Sequence, residues 1–215
     1  MSRRNLDIII ATGGALFAIL IAALGLVAWN EADFAKDNVH DQLSAQQIFF
    51  KDEADLTPSE RELPGVVETS GEQLTTGDQA QAYAGVIGLH LQEQAAKAGY
   101  PGATYASIGT VQTQLRTQVT EAKAAGDPNA AELEKQHAAV TTLRDSQFRG
   151  ETLRGLLLTT YGFSVLGERA ALAANIAFGI AAVAAVLSVA GFLHAFATPK
   201  EQRVLGGVLV PVPTK

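Results

Sequence analysis

Two long stretches of the chain carry no Asp, Glu, Lys or Arg. One runs from Ile8 to Trp29, 22 residues; the other from Ala170 to Ala197, 28 residues, with Asn175, Ser188 and His194 its polar members. At 1.5 Å of rise per residue, each exceeds the roughly 30 Å hydrocarbon core of a bilayer, so each predicts a membrane-crossing helix. A cleaved signal peptide is the rival reading of the first stretch, but its apolar region usually runs only about 7–15 residues. The pattern divides the chain into a short terminus (1–7), a first span (8–29), a central segment (30–169), a second span (170–197) and a tail (198–215).

Within the central segment the apolar positions recur at helical spacing. Ala32, Ala35, Val39, Leu43 and Phe50 continue the first span as an amphipathic rod beyond Trp29, an aromatic suited to an interfacial position. Lys51 to Thr75 loses periodicity and, with Pro58, Pro64, Gly65 and Gly71, reads as a long surface loop. A helix opens at Thr76, with Gln79 completing a capping box, buries Ala84, Ile87, Leu91, Ala95 and Ala98, and stops at Gly99. The next carries Ile108, Val111, Leu115, Val119 and Ala122 and closes at Gly126. Asp127 and Pro128 start another, with Leu133, His137, Val140 and Leu143 on its inner side. Residues 144–169 mix leucines with charges and contain Gly155, Gly162 and Gly167, which predicts an interfacial helix with a bend or a close contact at those glycines. The fold class expected is all-α: a transmembrane hairpin with a helical domain between its two spans.

Charge orients this hairpin. Arg3 and Arg4 precede the first span, and Lys200, Arg203 and Lys215 follow the second. The central segment holds 20 of the 22 acidic side chains but only 11 of the 16 basic ones, leaving it at −9. The positive-inside rule places both termini in the cytoplasm of a plasma membrane and the central domain outside. An acidic domain of this kind argues against nucleic-acid partners. The absence of cysteine excludes disulfides, thiolate zinc sites and cysteine-ligated clusters.

Candidate chemistry is sparse. Asp33, Asp37, His40 and Asp41 fall near one helical face and are the candidate cation ligands, weighed against the preferred reading of a solvated acidic face. His90 and His137 lie on separate helices; a ligating pair across a bundle is conceivable, with His137 better read as a core residue. His194 ends the second span, where an interfacial histidine is ordinary. GFSVLG around Ser164 lacks the nucleophile-elbow spacing, and no phosphate loop, dinucleotide fingerprint or HExxH motif is present, so neither enzyme activity nor a cofactor is expected. Gly13, Gly14, Gly25, Asn175 and Gly179 are the helix-docking candidates: glycines let helices approach closely, and an amide in lipid needs a hydrogen-bonding partner. These serve either the contact between the two spans or the docking of helices from other subunits. The VPVP portion of the tail favours extended backbone and cannot build a core of its own.

The Ala-, Gly- and Val-rich hairpin plan, with the junction GETLRGLLLTTYGFSVLGERA at 150–170, resembles small actinobacterial two-span membrane proteins. Within that group it is similar to the respiratory supercomplex association factors that accompany the cytochrome bcc complex and the aa3 oxidase. The resemblance implies a non-catalytic accessory or assembly subunit, without its own cofactor, whose partners are integral membrane subunits and lipids. The alternative is a stand-alone membrane-anchored module that binds a small molecule or lipid on the outer face.

Overall fold

The structure, a computed structural model, describes residues 2–199; the VPVP tail lies outside them. The fold is helical throughout: α1 (Arg3–Ser44), the single turn α2 (Pro58–Arg61), α3 (Gly77–Lys97), α4 (Tyr105–Ala125) and α5 (Ala130–Ala197). The chain falls into two compact units. One joins the two chain ends, up to Phe34 and from Leu166 onward; the other is Ala35–Val165.

In the first unit, α1 and α5 each contain a segment long and apolar enough to cross a membrane. Their buried positions recur every seven residues: Ala11, Ala18, Gly25 and Ala32 on α1, and Ala174, Ala181, Ser188 and Ala195 on α5. That is the spacing of a coiled-coil seam, here built from small side chains that let two backbones come close. Residue pairing across it is antiparallel. Gly25 faces Phe178, Gly14 faces Ser188, Ala11 faces Gly191, and Asp7 faces His194, so one number rises as the other falls. Trp29 packs on Phe178 with ring centroids 6.4 Å apart. The remaining faces are apolar and open, with Leu16, Ile19, Val183 and Val186 all more than 60% exposed.

In the second unit the α1 stripe behaves as its spacing predicts. Ala35, Val39 and Leu43 are buried, and α1 ends at Ser44 in a turn that puts Gln47 at φ 53°. Phe50 lies beyond that turn, so it reaches the core from the following segment and not from the helix. Gln73 Nε2 donates to the Ser44 carbonyl at 2.8 Å, satisfying one of the acceptors a helix end leaves free.

Residues 51–75 depart furthest from the expected surface loop. They contain a 3-10 turn (Glu53–Asp55) and α2, and they close on the preceding residues through backbone bonds from Phe50 to Glu72, Leu74 to Ile48 and Gly71 to Lys51. Leu56, Val66 and Leu74 enter the same core as Val39, Leu43, Phe50, Ala80, Ala84 and Leu157. Burying three large aliphatic side chains contributes on the order of 5 kcal/mol before the cost of ordering the chain, enough to make this segment a wall of the domain.

α3 carries the expected Thr76–Gln79 capping box and ends before Gly99 at φ 89°, although Ala98 is exposed and Ala80, Ala82 and Val86 complete its buried side. α4 ends at Gly126 in the left-handed conformation, and Ile108 and Leu115 pack with Val140 and Leu143 of α5. α5 begins at Ala130, slightly later than Asp127 and Pro128 imply; Asp127 instead accepts from the Asn129 amide in the preceding turn. Of the three glycines expected to mark a bend or a close contact, Gly167 is buried, whereas a Cβ at Gly155 or Gly162 would meet no described atom within 4 Å; the helix is continuous for 68 residues.

Candidate functional site

Two places collect the polar side chains that a site needs. The first is built on a short signature inside 51–75. Thr57, Pro58, Ser59 and Glu60 make a capping box with proline at the first helical position: the Glu60 amide donates to Thr57 Oγ1, and the Thr57 amide donates to Glu60 Oε2 at 2.8 Å. The Glu60 side chain is 1% exposed. Its other oxygen accepts from Lys51 Nζ at 2.7 Å and bonds His90 Nε2 of α3 at 2.8 Å. Burial by itself pushes the carboxyl up, but the hydrogen bonds from Lys51, Thr57 and His90 outweigh it and hold Glu60 at about 2, against an ordinary 4.5. The result is a sealed carboxylate joining α2 to the middle of α3.

The His90 ring is half exposed. It lines an open groove of about 650 Å³ whose other walls include Ile87, Leu91, Gln94, Ser146 and Arg149. α3 is locked to α5 at this groove: the buried Gln147 donates to the Leu91 carbonyl at 2.9 Å, Ser146 donates to Gln94 at 2.8 Å, and Gly150 leaves room for Leu91. Oriented by a buried carboxylate, an imidazole can accept or donate at a fixed position, as histidines held by a carboxylate on one nitrogen do when they bind through the other. His137 is elsewhere on α5, half buried, and its carbonyl accepts the Thr141 hydroxyl.

The second place is the pair of apolar helices. Among the five docking candidates, Gly14 and Gly25 lie in the seam: a Cβ at Gly25 would stand 2.9 Å from the Phe178 ring, and one at Gly14 would stand 2.5 Å from Ser188 Oγ. Gly13, Asn175 and Gly179 are exposed, and no side chain comes within 4 Å of a Cβ placed at Gly13 or Gly179. Gly179 lies at an apolar groove of about 450 Å³ bordered by Ile176, Ile180, Val183 and Leu187. Asn175 stands one turn before Gly179 on α5.

Asp33, Asp37, His40 and Asp41 are all exposed along α1, and among the described residues no group of three or more His, Asp or Glu side chains is placed to hold a metal ion. Glu60 was the residue that periodicity missed. Its signal was the TPSE signature, which is local and needs no repeat. In comparison with known proteins, the chain matches no family model, no curated protein and no solved structure.

Proposed function

We propose that this chain is a non-catalytic accessory or assembly subunit of a larger membrane complex. In this reading α1 and α5 cross a plasma membrane as a hairpin, with both termini cytoplasmic and the acidic helical unit outside. The observation that carries it is the division of labour on the two apolar helices. One narrow heptad stripe on each is used for the seam, while Gly13, Asn175, Gly179 and the β-branched residues around them are left on other faces. Contiguous apolar surface of this extent needs lipid or protein to cover it. Lipid tails offer nothing to the Asn175 amide, whereas a neighbouring helix can.

The basic residues at both chain ends and the −9 charge of the central segment support the orientation. The resemblance to the supercomplex association factors makes the cytochrome bcc complex and the aa3 oxidase the first partners to look for. The test is a mild-detergent purification of the native protein through a tag, followed by mass spectrometry and a visible absorption spectrum. Stoichiometric cytochrome subunits with haem bands support the respiratory reading. Other integral membrane subunits at stoichiometric yield keep the accessory role and change the complex. A lone, colourless protein overturns both.

The groove beside His90 favours a second reading, a membrane-anchored module for a small molecule. A monomeric purified chain whose His90 resonances shift with an added ligand would support it.

A further inference from the structure

Where α1 begins and α5 ends, the seam of small residues closes on a carboxylate and an imidazole. Asp7 sits one turn before Ala11, and His194 directly precedes Ala195, so both belong to the last layer of the heptad pattern. Asp7 Oδ2 is sealed from solvent and accepts no hydrogen bond from the described residues. His194 Nε2 stands 3.9 Å from it, and the imidazole is 60% exposed. A groove of about 270 Å³ runs along the helices here, bordered by Asp7, Ile10, Gly14, Ser188 and Gly191 as well as His194.

Other polar groups at this end are occupied or turned away. The Ser188 hydroxyl donates to the Ala184 carbonyl at 2.7 Å, the Arg4 guanidinium lies over the Phe196 ring at 5.5 Å, and Arg3 is exposed. Among the described residues at these two helix ends, Arg3, Arg4, Asp7 and His194 are the titratable or charged side chains. The arginines oppose a further positive charge and Asp7 favours it. Asp7 stands 3.9 Å from the ring nitrogen.

A sealed carboxylate oxygen with no donor is destabilising, because its lost hydration is not replaced. The donor within reach is an imidazole, the side chain whose ordinary charge change falls between about pH 5 and 8. We propose that Asp7 and His194 form a proton-binding site that clasps the hairpin at this end. The exposed imidazole takes one proton from solvent and carries it on Nε2. The 3.9 Å approach then closes to a charge-assisted hydrogen bond, drawing the start of α1 onto the end of α5. Losing the proton removes the charge from the bond and leaves the ring a single N–H that either nitrogen can carry, so the clasp loosens and the two ends separate. The site draws on the helix pair alone and stands whether or not a larger subunit docks.

The natural absence of cysteine makes the test direct, because two introduced cysteines carry spin labels without background. With Asn5→Cys and Ala197→Cys in the full chain in lipid nanodiscs, the interspin distance should shorten and its distribution narrow as pH falls from 8 to about 5. Asp7→Asn and His194→Gln should each abolish that change. In parallel, the nuclear magnetic resonance signals of the His194 ring should respond to Asp7→Asn, since the two side chains share the proton. Distances that ignore pH in the wild type, or His194 ring signals unmoved by Asp7→Asn, overturn the proposal. If Asp7→Asn does not fold, the wild-type Asp7 carboxyl carbon provides the same reading: its shift must follow the His194 titration, and a flat response overturns the site.

Discussion

Glu60 Oε1 and His90 Nε2 stand 2.8 Å apart across thirty residues of chain, and this one bond ties a segment without periodicity to the centre of a regular helix. Lys51 and Thr57 complete the shell, so the carboxylate is both buried and fully used. A buried charge with all its partners is tolerated, whereas the same partners without the charge are not.

Glu60→Gln should therefore destabilise the helical unit by about 2–4 kcal/mol, because an amide cannot accept from Lys51, Thr57 and His90 together. Hydrogen exchange locates the effect. Backbone amides of residues 50–74 should lose protection first, and those of α4 should change least. Uniform loss across the unit would mean that Glu60 does not act through this segment.

Acid should remove the same contribution. Glu60 is held at about 2 in the folded chain against an ordinary 4.5, so its stabilisation is full above about 4.5 and fades as pH falls toward 2. The depression corresponds to about 3 kcal/mol. The difference in stability between wild type and Glu60→Gln should accordingly be large at pH 7 and small near pH 2. A difference independent of pH would remove the ionised carboxylate from the account.

Arg144 joins α4 to α5 by lying 4.6 Å over the Tyr105 ring while donating to Gln112 at 2.6 Å. Arg144→Ala should cost about 1–2 kcal/mol, and Arg144→Lys should recover little of it, since an ammonium cannot stack and donate in the same plane. Full recovery by lysine in thermal melts would leave only charge at work there.

The seam and the outer faces should respond oppositely to bulk. Gly25→Leu would drive a side chain into Phe178 and should loosen the helix pair by about 1–3 kcal/mol, whereas Gly13→Leu and Gly179→Leu should leave it intact. Under the accessory-subunit reading, Gly179→Leu and Asn175→Leu should still reduce co-purification of the larger complex several-fold. Unchanged yields from both would take that face out of the interface.

The helical class, the two apolar segments and the signals that end their neighbours are legible from the order of residues. These rest on local physics: runs of uncharged residues, the Thr76–Gln79 cap, and glycines at 99 and 126 that alone tolerate a left-handed turn cheaply. Part of the site was equally local and went unread, because Thr57 to Glu60 announces a cap without any periodicity around it. The seam was harder. Ala11, Ala18 and Gly25 repeat by sevens, but alanines are so plentiful in both segments that many registers look alike until the partner is in place. Tertiary structure alone decided which glycines are covered and which are open, why 51–75 is a wall and not a loop, and that His90 meets Glu60. It also brought Asp7 to His194 from opposite ends of the chain. Contacts of that kind depend on how two helices align, and composition along either one carries no record of the alignment.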